Sequence, residues 1–369
     1  MMFSQSLIAI ATLALSLSAH AQSATTSAAK KVTCKTGQVT ANAKCCALFP
    51  IIDTLQEKLF DGSECGEEAH SAVRLSFHDA IGFSLHGGKG DGADGSILAF
   101  NKTELMAHAN AGIDDIIASQ WPVFKEIGTL SAGDFVHLAA AVGISNCPGA
   151  PRLEFKLGRP APKVAAADFT VPEPTDSVTK ILARMADAGF SAAELVALLS
   201  SHTIAAADAI DTSIPGTPFD STVDTFDSQV FLEVLLKGTA FPSKDNHANI
   251  SHPGEVLSPI AGEMRLASDF LIARDPRTAC LWQDMINNQQ RMTSQFKAAM
   301  AKMQVLGQNA HLLTDCSDVI PIAKPFAGPI KYPASFSQAQ IQQACHSQPF
   351  PKLSTVKGPA PTLAPVPGS

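Results

Sequence analysis

Eight cysteines constrain the fold of this 369-residue chain more than any other feature of its sequence. They follow an apolar stretch at residues 3–19 and an Ala19-His20-Ala21 segment that is typical of a signal-peptide cleavage site. Exported chains fold in oxidising surroundings, where an even number of cysteines favours disulfides over a metal cluster. We therefore expect all eight to pair, although the sequence alone leaves about a hundred pairings open. The cysteines are Cys34, Cys45, Cys46, Cys65, Cys147, Cys280, Cys316 and Cys345.

The chain is predicted to contain one folded region between two terminal segments. Residues 1–21 form the expected signal peptide, and residues 22–31 a propeptide that ends at the dibasic pair Lys30-Lys31. Residues 32–351 form the domain, and residues 352–369 a Pro-rich tail that is either extended over the surface or disordered. No later stretch reaches the roughly 18–20 apolar residues that a membrane span needs. The net charge of −7 argues against a nucleic acid partner, which favours a basic surface.

Helical periodicity dominates the domain, and strand-like runs are few and short. Ser191 and Glu194 form a capping box in front of an apolar run, which predicts the start of a helix there. A long amphipathic helix is predicted over 284–306, ending at Gly307. Further helices are predicted at 43–60 and 66–82, and loops at 84–96, 159–174 and 211–226. The pattern therefore predicts a mostly α-helical fold.

Arg74 and His78 stand four residues apart in Arg74-Leu75-Ser76-Phe77-His78-Asp79, so a helix places them on one face. Cleavage of a peroxide bond needs a neutral base to move a proton and a cation where negative charge develops. His78 suits the first role and Arg74 the second, while Phe77 could exclude water. A lone Arg–His pair is more often a surface pair. However, a second histidine, His202 in Leu199-Ser200-Ser201-His202-Thr203, is suited to hold a haem iron from the opposite side.

These two segments resemble the distal and proximal signatures of the plant-type haem peroxidases. The rest of the chain narrows the resemblance to the secreted fungal class II peroxidases, which comprise manganese, lignin, versatile and generic peroxidases. It extends from about Cys34 to Pro351. It implies a plant-type haem peroxidase fold in which a distal half, about 32–175, and a proximal half, about 176–346, enclose haem b. It also implies a monomeric, extracellular donor:H2O2 oxidoreductase that acts on hydrogen peroxide and small aromatic or phenolic donors.

The resemblance assigns roles to further residues. It implies that Asn110 and Glu104 hold His78 in the required tautomer, and that Asp269 accepts the imidazole N–H of His202. Phe226 is expected to pack beneath the haem. The implied disulfides are Cys34–Cys46, Cys45–Cys316, Cys65–Cys147 and Cys280–Cys345. Two sequons, at Asn101 and Asn249, are expected glycosylation sites.

Two clusters of oxygen donors follow the two histidines directly and predict two Ca²⁺ sites, because Ca²⁺ prefers hard oxygen ligands. Either cluster alone would be read as an ordinary Asp- and Gly-rich turn, but each stands beside a catalytic histidine. The distal set is Asp79, Gly92 by its carbonyl, Asp94 and Ser96. The proximal set is Thr203, Asp220, Thr222, Thr225 by its carbonyl and Asp227.

The electron donor is the least determined feature. Manganese-oxidising relatives use three acids, of which Glu67 and Asp208 match two, whereas Ser71 replaces the third. Ala197 occupies the position of the surface tryptophan through which lignin and versatile peroxidases relay electrons. The remaining candidates, Trp121, Trp282 and Tyr332, do not match it.

Three interpretations follow. The enzyme oxidises phenols at the haem edge, with or without Mn²⁺ at an incomplete two-acid site, or it is a true manganese peroxidase with Mn²⁺ as main donor. In the remote alternative, the chain is a secreted haem- and calcium-binding protein without catalysis. That alternative predicts a broken Arg74, His78 and Asn110 set, which is intact here.

Overall fold

Helices form most of the regular structure in the computed structural model, which describes residues 31–242, 252–326 and 328–367. The predicted signal peptide, the propeptide up to Lys30 and the sequon at Asn249 lie outside the described residues. The α-helices are α1 (Leu48–Lys58), α2 (Glu67–Ala80), α3 (Ser96–Ala99), α4 (Asn101–Glu104), α5 (Ile113–Ile127), α6 (Ala132–Ser145), α7 (Val178–Asp187), α8 (Ala192–Leu198), α9 (Gln229–Glu233), α10 (Ala267–Ile272), α11 (Ala279–Gln283) and α12 (Gln289–Met303).

Short strands and 3-10 turns connect the helices. Four two-stranded antiparallel ladders pair β1 with β2, β3 with β8, β4 with β5 and β6 with β7. Their strands are β1 (Val32–Thr33), β2 (Val39–Thr40), β3 (Lys156–Leu157), β4 (Ala206–Ala207), β5 (Thr217–Pro218), β6 (Glu255–Val256), β7 (Arg265–Leu266) and β8 (Thr314–Asp315). The 3-10 helices are Ala43–Ala47, His108–Asn110, Leu199–Ile204, Ser317–Val319 and Gln338–Gln340. The mostly helical fold with few short strands is confirmed.

The helix α2, which carries Arg74 and His78, is fixed by its packing against α6. Every residue of α6 is buried, and α2 makes its most extensive contacts with it. The two helices approach closely at Gly143, where a Cβ atom would lie 3.1 Å from the Phe60 ring and 3.2 Å from the Ala69 Cα atom. This packing holds the distal helix rigid, because close-packed interiors transmit strain rather than absorb it.

Four disulfides tie the segments together, and no cysteine is free. They join the same four pairs that the resemblance implies. The Cys45–Cys316 bond links residues 271 positions apart, and the Cys65–Cys147 bond anchors the segment just before α2 to the end of α6. Such cross-links stabilise the fold by restricting the unfolded chain.

The structure corrects two helix boundaries. The helix predicted over 284–306 begins only at Gln289, because Asn287 has a left-handed φ of 55° and the Asn288 side chain accepts a hydrogen bond from the Arg291 N–H. His202 lies in the 3-10 helix that follows α8 rather than in an α-helix. The capping box of Ser191 and Glu194 at the start of α8 is confirmed.

Among the described residues, no single helix is long and apolar enough to span a membrane. The pair formed by α5 and α6 reaches that length and apolarity only together, and it bends by 112°.

Candidate active site

The distal histidine is fixed by a short relay of hydrogen bonds. Asn110 donates from Nδ2 to the backbone carbonyl of Glu104 at 2.8 Å, which orients its Oδ1 towards His78. His78 Nδ1 lies 2.8 Å from that oxygen and must therefore carry the proton that it donates. The lone pair of His78 is then on Nε2, for which the described residues offer no hydrogen-bond partner. This tautomer is the one that a proton-accepting base requires.

The electrostatic surroundings keep His78 neutral. Burial and the positive charge of Arg74 lower its pKa to about 3, against the opposing effect of the Asn110 hydrogen bond. His78 is therefore an available base throughout the mildly acid range.

Arg74 is half-buried because its side chain faces the interior of the site, and its Nη2 donates to the Ala111 carbonyl at 2.8 Å. Burial lowers the pKa of Arg74, while the carboxylates of Asp208, Glu67 and Asp114 counteract this effect. The arginine thus supplies a fixed positive charge beside His78. Phe77 places its ring edge-on to the His78 ring, with 6.0 Å between the centroids.

Glu104 acts differently from the role that the resemblance implies. Its backbone carbonyl, rather than its carboxylate, accepts the hydrogen bond from Asn110. The carboxylate accepts from the Ala166 N–H at 2.9 Å, and burial raises its pKa to about 7. The side chain therefore ties the 166–171 loop to the distal site, while the main chain orients Asn110.

The proximal histidine has a matching arrangement. His202 Nδ1 lies 2.6 Å from Asp269 Oδ2, and Asp269 is buried in the first turn of α10. The carboxylate can only accept, so the Nδ1 proton of His202 points to it and Nε2 is left available. A histidine that donates to a carboxylate in this way is a more basic metal ligand.

Phe226, which was expected to pack beneath the haem, is not a ring neighbour of His202 among the described residues. Phe226 packs in the main core against Phe296, with 4.9 Å between the ring centroids. Phe219 is instead the ring neighbour of His202, at 5.4 Å. Phe219 and Phe226 lie seven positions apart in the sequence, which does not indicate which of them is near His202. In the structure, the β4–β5 ladder brings Phe219 next to the histidine. Phe219 belongs to a small apolar cluster, separate from the main core, with Ala207, Met264 and Leu266.

These residues fit a haem group. Two histidines from separate elements each use Nδ1 for a protein hydrogen bond and leave Nε2 available. Phe77 on the distal side and the Phe219 cluster on the proximal side provide the apolar surroundings that a large aromatic macrocycle requires. His202, braced by Asp269, is the residue that would hold the iron.

The distal oxygen cluster surrounds Asp79 at the end of α2. Asp79 Oδ2 accepts from the Gly95 N–H at 2.9 Å, and Asp94 Oδ1 accepts from the Ser96 N–H at 3.0 Å. Burial raises the pKa of both Asp79 and Asp94 to about 7, and the charge of Asp79 adds to the effect on Asp94. Gly95 has a φ of +83°, and a Cβ atom there would lie 2.2 Å from the Gly133 N, so only glycine permits this loop. The buried donors Gly92, Asp94 and Ser96 thus lie in a segment that is hydrogen-bonded to Asp79 at the end of α2, an arrangement that suits a hard cation.

The proximal oxygen cluster is more tightly convergent. Thr203 Oγ1 donates to Asp220 Oδ2 at 2.5 Å, and Thr222 Oγ1 lies within 3.2 Å of both Asp220 Oδ1 and Asp227 Oδ1. Burial raises the pKa of Asp220 well above its ordinary value and that of Asp227 to about 6. Thr225 joins the same turn through its N–H bond to the Thr222 carbonyl. Buried acids at this density call for a compensating cation.

Glu67 and Asp208, the two acids expected to bind Mn²⁺, both lie within electrostatic range of Arg74. Ser71 Oγ donates to Glu67 Oε1 at 2.8 Å, so the residue that replaces the third acid contacts the first. Asp208 Oδ1 accepts from the Gly216 N–H at 2.8 Å. Both carboxylates act electrostatically on Arg74.

A narrow cavity of about 10 Å³, roughly the size of one water molecule, lies beside the distal histidine, and its lining was not predicted from the sequence. His78 and Asn110 line it from inside, and residues 166–171 from outside. At its exposed side, His108 Nδ1 lies 2.6 Å from Asp168 Oδ2, and its ring stacks on Phe169 at 4.6 Å. Phe169 is 61% exposed, which makes it an aromatic surface beside the distal opening.

Comparison with known proteins agrees with this geometry. The chain matches the family described as Peroxidase over residues 51–288 and the fungal peroxidase extension region over residues 291–368. It is 54% identical to versatile peroxidase VPS1 of Pleurotus eryngii over 92% of each chain. It is 51% identical to manganese peroxidase 3 of Phlebia radiata over 92% of this chain and 94% of the relative. It is 47% identical to ligninase H2 of Phanerodontia chrysosporium over 97% of each chain.

The Arg74→Leu variant is expected to move the acid limb of the peroxide reaction to higher pH. His78 accepts a proton only when neutral, and the charge of Arg74 helps to lower its pKa to about 3. Loss of that charge raises the pKa of His78, so the rate constant begins to fall at a higher pH. The rate constant itself is also smaller than in the wild type. The measurement is the second-order rate constant of the Soret change on mixing with peroxide, between about pH 3 and pH 7. Arg291→Leu, which removes an arginine on α12, is the control, and an unmoved midpoint in the Arg74 variant would contradict the assignment.

Proposed function

The chain belongs to the peroxidase family, and from this premise we propose that it is a secreted haem peroxidase that reduces hydrogen peroxide. Phenolic and other small aromatic donors supply the electrons at the haem edge, and Mn²⁺ is a second donor. The observation that carries the proposal is the pair of oriented histidines. Asn110 fixes His78 and Asp269 fixes His202, each through Nδ1, so that both Nε2 atoms are available for chemistry.

Bound haem supplies the redox chemistry of the reaction, and the protein supplies the proton transfers. His78 Nε2 takes the proton from the first peroxide oxygen and returns it to the second, which leaves as water. Arg74 stabilises the negative charge that develops on the leaving oxygen. Phe77 excludes water from the distal side. Asp269 holds His202 in the orientation in which Nε2 would bind the iron.

The haem edge is the preferred entry point for aromatic donors because no relay residue occupies the usual surface position. Ala197 stands there and is itself buried. Among the described residues, Trp282 and Tyr332 are buried as well, and only Trp121 reaches the surface. By contrast, the exposed Phe169 lines the same cavity as His78, and the His108 ring stacks on it. A small phenol can stack on such exposed rings.

The support for Mn²⁺ oxidation at Glu67 and Asp208 is that both carboxylates act electrostatically on the same residue, Arg74. Ser71 cannot neutralise a divalent ion as a third acid would, so we expect weak binding. The alternative, in which Mn²⁺ is the main donor, has the 51% identity to a manganese peroxidase in its support, but the chain is at least as similar to a versatile peroxidase, at 54%. A loss of catalysis is disfavoured because His78 keeps its hydrogen bond to Asn110 and the charge of Arg74 acts on it.

We further propose two Ca²⁺ ions, one bound by Asp79, Gly92, Asp94 and Ser96 and one by Thr203, Asp220, Thr222, Thr225 and Asp227. The burial of these acids, which raises the pKa of Asp79 and Asp220, supports this because a bound cation would offset the cost of burying the carboxylates. Secretion is supported by the complete pairing of the cysteines. Asn101, half-buried at the start of α4, is the proposed glycosylation site within the described residues.

Steady-state Mn²⁺ oxidation by the haem-loaded enzyme, beside the phenol guaiacol, tests the two donor routes. We expect saturable Mn³⁺ formation that is lost in Glu67→Ala, while guaiacol oxidation is unchanged. Ser71→Glu should lower the KM for Mn²⁺ by tenfold or more, about 1.4 kcal/mol, because it adds the missing charge. Guaiacol turnover without saturable Mn²⁺ activity in the wild type would leave the haem edge as the only route.

Chelation of calcium is expected to loosen both sides of the haem site. Asp79 directly follows His78, and Thr203 directly follows His202, so an uncompensated acid cluster would disturb the adjacent histidine. Prolonged chelation at neutral pH should lower the thermal midpoint and shift the Soret band, and added Ca²⁺ should restore both. A Soret band and midpoint that stay unchanged in chelator would rule out structural calcium.

A further inference from the structure

The described part of the C-terminal tail, residues 352–367, is bound along the surface of the protein rather than disordered. The Tyr332 N–H donates to the Ser354 carbonyl, and the Val356 N–H donates to the Tyr332 carbonyl, both at 2.9 Å. Further along, the Leu363 N–H donates to the Ala261 carbonyl at 2.8 Å. At the neighbouring Gly262, a Cβ atom would lie 2.3 Å from the Leu363 carbonyl oxygen, so the tail contacts bare backbone.

The end of the tail is connected to Asp208 by two consecutive hydrogen bonds. The Val366 N–H donates to the Gly216 carbonyl at 2.7 Å, and the Gly216 N–H donates to Asp208 Oδ1 at 2.8 Å. Val366 is 7% exposed, so its side chain is seated in the protein. Gly216 therefore binds the tail through its carbonyl and the Asp208 carboxylate through its N–H.

The last described residue, Pro367, lines the same surface pocket as the other acid, Glu67, together with Gly66 and Glu68 at the start of α2. The tail thus ends in the pocket that Glu67 lines, and it is hydrogen-bonded to Gly216, which in turn binds Asp208.

The proline content of the tail favours this bound state. Pro365 and Pro367 flank Val366, and a residue before proline is restricted to extended conformations. An extended segment that is already ordered loses little entropy when it binds. A two-acid site that binds its metal weakly gains affinity when its ligands are held in place before the metal binds.

We propose that the tail helps to form the Glu67–Asp208 site. Val366 is a positioning residue that holds Asp208 through Gly216, and Pro367 borders the site on the side of Glu67. The inference rests on the proposed use of this site for Mn²⁺. It assigns to the tail the organising role that a third acid would otherwise share.

Val366→Pro in the full-length haem-loaded enzyme tests the proposal, because it removes the N–H and keeps the chain extended. Ala364→Pro is the matched control, since its N–H makes no hydrogen bond among the described residues. We expect Val366→Pro to raise the KM and the dissociation constant for Mn²⁺ about fivefold, the size expected for one lost hydrogen bond. The guaiacol rate should be unchanged in both variants. Binding is measured on the resting enzyme by the loss of the free Mn²⁺ signal in electron paramagnetic resonance.

Both variants are also made in a Ser71→Glu background, which separates this inference from the proposed donor. If only that background binds Mn²⁺ and Val366→Pro weakens the binding there, the tail has the proposed role while the wild type is no manganese oxidiser. If Mn²⁺ binds and the Val366 and Ala364 variants have equal affinity, the tail does not position Asp208 and the inference fails. If neither background binds Mn²⁺, the two acids do not converge and both proposals fail.

Discussion

The whole site depends on one interaction made twice: the hydrogen bond that fixes the Nδ1 atom of a histidine. Asn110 makes it for His78 and Asp269 makes it for His202. Each bond selects a tautomer and leaves Nε2 available, and without it an imidazole ring would turn and offer the wrong atom. The packing of α2 on the fully buried α6 serves the distal bond, and the 3-10 turn after α8 with the first turn of α10 serves the proximal bond.

Charge burial is the second constraint. The site keeps Arg74 charged and His78 neutral one turn apart on α2, because burial and the arginine both disfavour a second positive charge. In the acid clusters next to the two histidines, the free-energy cost comes from negative charge, since their carboxylates are buried close to one another. Cations bound there would relieve this repulsion and brace each histidine from the neighbouring residue. Stability and catalysis are in this way connected through the same short segments.

Local patterns could be predicted from the sequence, and long-range contacts could not. The spacing of Arg74 and His78 and the capping box of Ser191 and Glu194 are local and are found as expected. The break before α12 was missed because Asn287 and Asn288 interrupt an apolar period that continues on both sides. Phe219 was missed in favour of Phe226 because ring contacts depend on how the loop folds. The bound tail and the use of the Glu104 carbonyl are tertiary contacts that leave no periodic signal.

The most direct test of the account is the rate of peroxide reaction in His78→Leu, followed by stopped-flow at the Soret band of the haem-loaded protein. His86→Leu, which removes an exposed histidine, is the matched control. The account predicts that haem is retained through His202 and that the rate constant falls by about 10²–10⁴-fold or more, as expected for a lost proton-transfer group. A rate close to that of the wild type, with haem still bound, would contradict the assignment of His78 as the base.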